Sequence, residues 1–260
     1  MPTSAPVFDA LESTSAAVAA IADSLPDWSI STPAEGWTVA HQVAHLAWTD
    51  EVSLVSATDP DGFAAILTDA MQDPMGFVDA GAAELAADPD LRARWDRARA
   101  ALAVALREAD PGTPLPWFGP PMRPATMANA RLMETWAHGL DIADAAGIEL
   151  DAPEALPHVA KIAYKTRDFA YTVNGETPPA EPFDVFLVAA DGAEITFGPG
   201  EAAQRVTGSL EDFCRLATQR VNLVDTDLVA TGEDAAHWLT IAQCFAGAPG
   251  TGRAPQEERP

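Results

Sequence analysis

Basic side chains are scarce in this 260-residue chain: 15 Lys and Arg stand against 39 Asp and Glu, a formal net charge of −24. Phosphate backbones and anionic lipid are gripped by clustered Lys and Arg, so neither nucleic acid nor a membrane surface is an expected partner. The acidic excess reads as a solubility feature. Cysteine is nearly absent. Cys214 and Cys244 do not make the disulfide framework of a secreted protein. Both sit among apolar neighbours with no Lys or His close by to lower a thiol pKa, so both read as buried structural thiols. No apolar run reaches the roughly 18 residues of a membrane-spanning helix. The opening MPTSAPVFDALEST lacks the basic and apolar regions of a targeting signal, and a cytoplasmic location is the expectation. A Walker loop, a G-x-G-x-x-G fingerprint and a Ser-His-Asp motif are also missing, which leaves phosphoryl transfer and dinucleotide chemistry without support.

Apolar residues are plentiful. At 48% they can fill a substantial core over most of this length, in one large domain or two. Apolar periodicity of the helical kind runs through the first half, with helices expected over about 6–25, 38–57, 61–71, 75–86, 89–109 and 125–146. Thr38 is placed to cap the second, and Gly147 to end the last in a left-handed conformation. The Pro- and Gly-rich PGTPLPWFGPPMRP between the last two reads as an ordered loop that either walls a pocket or packs over the bundle end. Four long helices with one extended connection make a bundle.

The second half changes character. A helix over about 153–173 leads into two strand-like runs around Asp191-Gly192, a two-residue hairpin signal. A strand QRVTG then precedes Ser209, which caps a helix to about Val221. A strand near DLVATG and a helix over about 233–246 complete an α+β unit. The expected organisation is a helical bundle over 1–152, an α+β domain over 153–250 and a flexible tail over 251–260.

Chemistry concentrates in two helices. In METWAHGLDIADAAG, Glu134 and His138 are four residues apart and project from one helical face, together with Ala130, Ala137 and Asp141. A carboxylate turned into a bundle core must be paired or metal-bound, since burying it alone costs several kcal/mol. His45, in TVAHQVAHLAWTD, can supply a third ligand from a packed helix. Two imidazoles and a carboxylate form a three-ligand set that leaves zinc an open position, the mark of a catalytic metal. Nickel and iron also accept such donors. The bland alternatives are a satisfied core histidine at 45 and a surface pair at 134 and 138. His41, one turn before His45, can be a fourth ligand, a proton acceptor beside the metal or a surface residue; it is taken as a catalytic candidate. Asp141 can orient a ligand imidazole from the outer shell, or bond to Arg131 or water.

GWTVAHQVAHLAWTD and ARLMETWAHGLDIADAAG resemble the two metal-binding signatures of the mycothiol-dependent maleylpyruvate isomerase family, within the DinB-like four-helix superfamily. The resemblance covers nearly the whole chain. It implies zinc ligands at His45, Glu134 and His138, with Asp141 as the acidic residue after the ligand histidine. It also implies a C-terminal domain like sterol-carrier proteins. LEDFCRLATQR resembles the helix that ends in a family arginine implicated in activity, here Arg220. WFGPPM, DFCRLATQR and IAQCFAGAPG point to a less characterised branch whose members need not be maleylpyruvate isomerases. The implied function is a zinc enzyme using mycothiol as cosubstrate for isomerisation or S-transfer on a small electrophile, with Arg220 holding a carboxylate. A thiol-independent hydrolase, lyase or cyclase, and a ligand-binding module with structural zinc, are the alternatives. The implied partners are small molecules only, the chain itself being a monomer or homodimer.

Overall fold

The computed structural model describes residues 6–73 and 76–258. They divide into two compact units, one running to Ala155 and the other beginning at Leu156. The first unit is helical: α1 (Val7–Ser24), α2 (Val39–Thr58), α3 (Pro60–Ala70), α4 (Phe77–Ala86), α5 (Leu91–Glu108) and α6 (Pro124–Ala146). The four long helices α1, α2, α5 and α6 make the bundle, with α1 against α6 and α2 against both α5 and α6.

The helix ends follow local chemistry. Thr38 caps α2, its side chain accepting from the His41 amide while the His41 ring accepts from the Thr38 amide. Pro124 begins α6, where its missing N–H costs nothing. Gly147 closes α6 at φ 64°, and the Ile148 amide bonds back to the Ala143 carbonyl. Gly139 lets α1 and α6 approach closely, because a Cβ there would lie 2.4 Å from Val18 Cγ2.

A buried ion pair fixes the register of α2 on α6. Arg131 Nε donates to Asp50 Oδ1 at 3.0 Å, and the Trp95 indole of α5 donates to Asp50 Oδ2 at 3.2 Å. Burial pushes the Asp50 carboxyl up, against the opposing pull of Arg131 and Trp95. The WFGPPM loop is pinched by a bridge between Leu115 and Met122. Its Trp117 and Phe118 pack on Phe63 of α3, and Phe118 also meets Trp48 of α2 and Phe77 of α4. The loop is thus part of an aromatic cluster on the bundle.

The second unit holds α7 (Leu156–Lys165), α8 (Arg167–Val173), β1 (Phe183–Val188), β2 (Glu194–Phe197), β3 (Gln204–Ser209), α9 (Leu210–Ala217), β4 (Val229–Thr231) and α10 (Glu233–Ile241). The sheet order is β2-β1-β3-β4, with β1 and β3 parallel and the outer pairs antiparallel. Phe183, Val185 and Leu187 alternate onto the buried face. Trp238 of α10 sits edge-on to both Phe183 and Phe213.

Four expectations are corrected here. The helix expected over 153–173 is broken, because Thr166 turns its hydroxyl back onto the Ile162 and Ala163 carbonyls and leaves helical geometry. The hairpin loop has three residues, Ala190 to Gly192. Only Gly192 is left-handed, at φ 84°, and its amide bonds to the Ala189 carbonyl, the type I turn plus bulge form. The helix after Ser209 stops at Ala217 rather than Val221. Gln219 enters the left-handed region at φ 61° and the Arg220 amide bonds back to Arg215. The last helix also ends early, at Ile241, where Gln243 bonds across to the Phe245 and Gly247 carbonyls. In the segment 251–258, the Arg253 carbonyl accepts from Asn222 and the Gln256 amide bonds to Asp225.

Candidate metal centre

The α2–α6 packing brings His45, Glu134 and His138 together, with one donor atom from each lying within 4.8 Å of the other two. Glu134 Oε2 is 3.3 Å from His138 Nε2 and 3.6 Å from His45 Nε2. Donors about 2.0–2.1 Å from one tetrahedral zinc are about 3.4 Å apart, so these separations fit a shared cation. Burial alone would push the Glu134 carboxyl up. The imidazoles of His138 and His45 outweigh it and hold the carboxyl well below the usual carboxylate range.

His45 supplies the sharper observation. Both of its ring nitrogens are buried and neither has a hydrogen-bond partner. Leaving a buried polar atom unsatisfied costs about 1–3 kcal/mol, and a cation coordinated by one of the nitrogens would relieve it there. Glu134 retains 23% side-chain exposure against 12% and 13% for the two histidines. The donor set fits a divalent metal with a free position.

Trp37 and Gln42 frame the cluster, and neither was singled out from the sequence. The Trp37 indole lies near-parallel to the His138 ring, centroids 5.9 Å apart, and 5.7 Å from that of His45. Gln42 is fully buried and its Oε1 is 2.5 Å from His138 Nδ1. Position supplied the one available signal for Gln42: it lies three residues before His45, on the same helical face.

His41 is not in the three-residue cluster. Its Nδ1 is 2.8 Å from the Thr38 hydroxyl and accepts from the Thr38 amide at 3.3 Å. The neutral ring therefore carries its hydrogen on Nε2. Asp141 is buried on α6, and Arg131 engages Asp50. Arg220 belongs to the second unit, just past α9, with Nη1 donating to the Thr218 carbonyl at 2.6 Å.

Fold and site define a class: helical-bundle proteins with an inward two-histidine, one-glutamate cluster, followed by a small mixed-sheet unit. Within it, the chain belongs to the family described as mycothiol maleylpyruvate isomerase N-terminal domain, which residues 8–143 match. Two curated relatives, both named only as uncharacterized, are proteins of Mycobacterium tuberculosis strains CDC 1551 and H37Rv. Each is 54% identical over 87% of this chain and 89% of its own length. Among solved structures, a mutant of the mycothiol-dependent maleylpyruvate isomerase matches at 19% identity and TM-score 0.59. A second structure of that isomerase matches at 18% identity and TM-score 0.53. Each match covers 86% of this chain and 91% of the other. At that identity the likeness carries the fold. Among the described residues, no helix is long and apolar enough to cross a membrane.

Proposed function

We propose that this chain is a zinc-dependent enzyme that uses a low-molecular-weight thiol, mycothiol, for isomerisation or S-transfer on a small electrophilic substrate. The observation that carries the reading is His45: both ring nitrogens are buried without a hydrogen-bond partner, beside a depressed carboxyl shared with a second imidazole. His45, Glu134 and His138 would hold the ion. A divalent metal there supplies a positive charge that keeps a thiol sulfur in its anionic, nucleophilic form at neutral pH.

The chain's own groups do the rest. Trp37 covers the two imidazoles and keeps water from that side. His41, with Nδ1 committed to Thr38, offers an Nε2–H donor rather than a free base. Arg220, which the family resemblance implicates in activity, offers a planar guanidinium that can bind a carboxylate bidentately. Membership of a family described by mycothiol and maleylpyruvate supports both the thiol and the carboxylate-bearing substrate.

Two measurements test this. Elemental analysis should find one zinc per wild-type chain and almost none in His45→Ala. Calorimetric titration of the zinc-loaded protein with mycothiol should show one-to-one binding. Absence of thiol binding by the metal-loaded protein rejects the thiol, and turnover of an electrophile without any thiol replaces it with hydrolase, lyase or cyclase chemistry.

A further inference from the structure

We propose that Gln42 is a positioning residue that sets the tautomer of His138 and turns its Nε2 lone pair toward the cation site. The inference rests on the cluster being a cation site. It begins in the loop ahead of α2. The Trp37 carbonyl accepts from the Thr32 amide at 2.8 Å and from the Thr32 hydroxyl at 2.9 Å. That hydroxyl has spent its hydrogen, so Thr32 Oγ1 can only accept from its next neighbour. The neighbour is the Gln42 amide nitrogen, at 2.9 Å. The orientation of the Gln42 amide follows: its nitrogen faces Thr32 and its Oε1 faces His138 Nδ1.

A carbonyl oxygen only accepts, so the 2.5 Å contact requires a hydrogen on His138 Nδ1. The neutral ring then keeps its lone pair on Nε2, the atom 3.3 Å from Glu134 Oε2. Reversing the amide would set Oε1 against Thr32 Oγ1 with no hydrogen between them. The chain of bonds has one direction, and its far end is the loop whose indole covers both imidazoles. Metal-bound histidines generally donate their second N–H to a carboxylate, carbonyl or water. Here the acceptor is a neutral amide, which fixes the ring without adding a second negative charge beside Glu134.

The experiment reads tautomer and metal affinity, not turnover. A long-range ¹H–¹⁵N spectrum of the zinc-loaded wild type should show His138 bound through Nε2 and carrying its hydrogen on Nδ1. Competition with a chelator should give Gln42→Met a zinc affinity about 10–100-fold weaker than wild type. Gln42→Glu, which keeps the acceptor but loses the bond to Thr32 equally, should stay within about threefold. A structural role alone would weaken both variants alike. Should Gln42→Met not fold, Thr32→Val removes the hydroxyl that orients the amide at nearly constant shape, and should also weaken zinc binding. Zinc coordination through Nδ1 of His138 in the wild type, or wild-type affinity in a folded Gln42→Met or Thr32→Val, overturns the proposal. A wild-type protein that binds no divalent cation overturns the cation site, and this proposal with it. That outcome is told apart because it is read before any substitution is made.

Discussion

Cys214 bears directly on where a reactive sulfur can come from. Its thiol is fully buried and donates to the Leu156 carbonyl at 3.3 Å, and burial pushes its pKa well above the usual thiol range. Cys244 is buried as well. Both should be inert to Ellman's reagent in the native protein and should react, as two thiols per chain, only in denaturant. A native signal at neutral pH would show a reactive internal sulfur and weaken the case for an added one. The candidate ligand residues carry the complementary test. Glu134→Gln removes the cluster's one negative charge while keeping its shape, and should lower zinc affinity by at least 10-fold, read by chelator competition. At this scale the sequence was unevenly legible. Glu134, His138 and His45 are ligand types at telling spacings. Gln42 is no ligand type, and its partner His138 lies 96 positions away, across a packing that one residue's identity does not reveal. The cap formed by His41 was hidden for another reason. Histidine seldom takes the place of Glu or Gln in a capping box, so its spacing from His45 suggested chemistry instead.

Among the elements, the contact of α2 with α6 decides whether His45 meets the other two candidate ligands, and the Asp50–Arg131 pair fixes that contact. Asp50→Asn leaves the buried Arg131 guanidinium uncompensated and should cost about 3–5 kcal/mol in a denaturant titration. Replacing both partners, with Asp50→Leu and Arg131→Met, should cost less than the single change, because an apolar pair avoids the desolvation of two ions. Gly139→Ala tests the α1–α6 face. Val18 is β-branched and cannot easily swing its Cγ2 away from the added methyl, so a loss of about 1–3 kcal/mol is expected. Helix positions were readable where side chains carry the stop or start signal themselves, as at Thr38 and Gly147. They were unreadable where a stop depends on a conformation the residue type does not favour. Gln219 takes a left-handed backbone without being glycine, and Thr166 breaks a helix by bonding to the turn behind it. The Asp191-Gly192 loop fell between these cases: the glycine marked the turn, but its count of residues depends on which of the two adopts positive φ.

For the whole molecule, metal and net charge act on stability in ways that can be separated. All three candidate ligands belong to the first unit, so an ion bound by them stabilises that unit's folded state and not the unfolded chain. At a free metal concentration 100 times the dissociation constant, the linkage is worth about 2.7 kcal/mol. For a domain of this size that is a rise of about 5–11 °C in melting temperature. The formal charge of −24 opposes compaction by self-repulsion, which added salt screens beyond a Debye length of about 10 Å at 0.1 M. Salt should therefore raise the melting temperature with or without metal, whereas stoichiometric zinc should raise it only when the three ligands are intact. Scanning calorimetry of wild type and His45→Ala, each with zinc or with chelator at two salt concentrations, separates the two. A zinc-dependent shift of equal size in both proteins would mean that the ion acts on the acidic surface instead of the buried cluster.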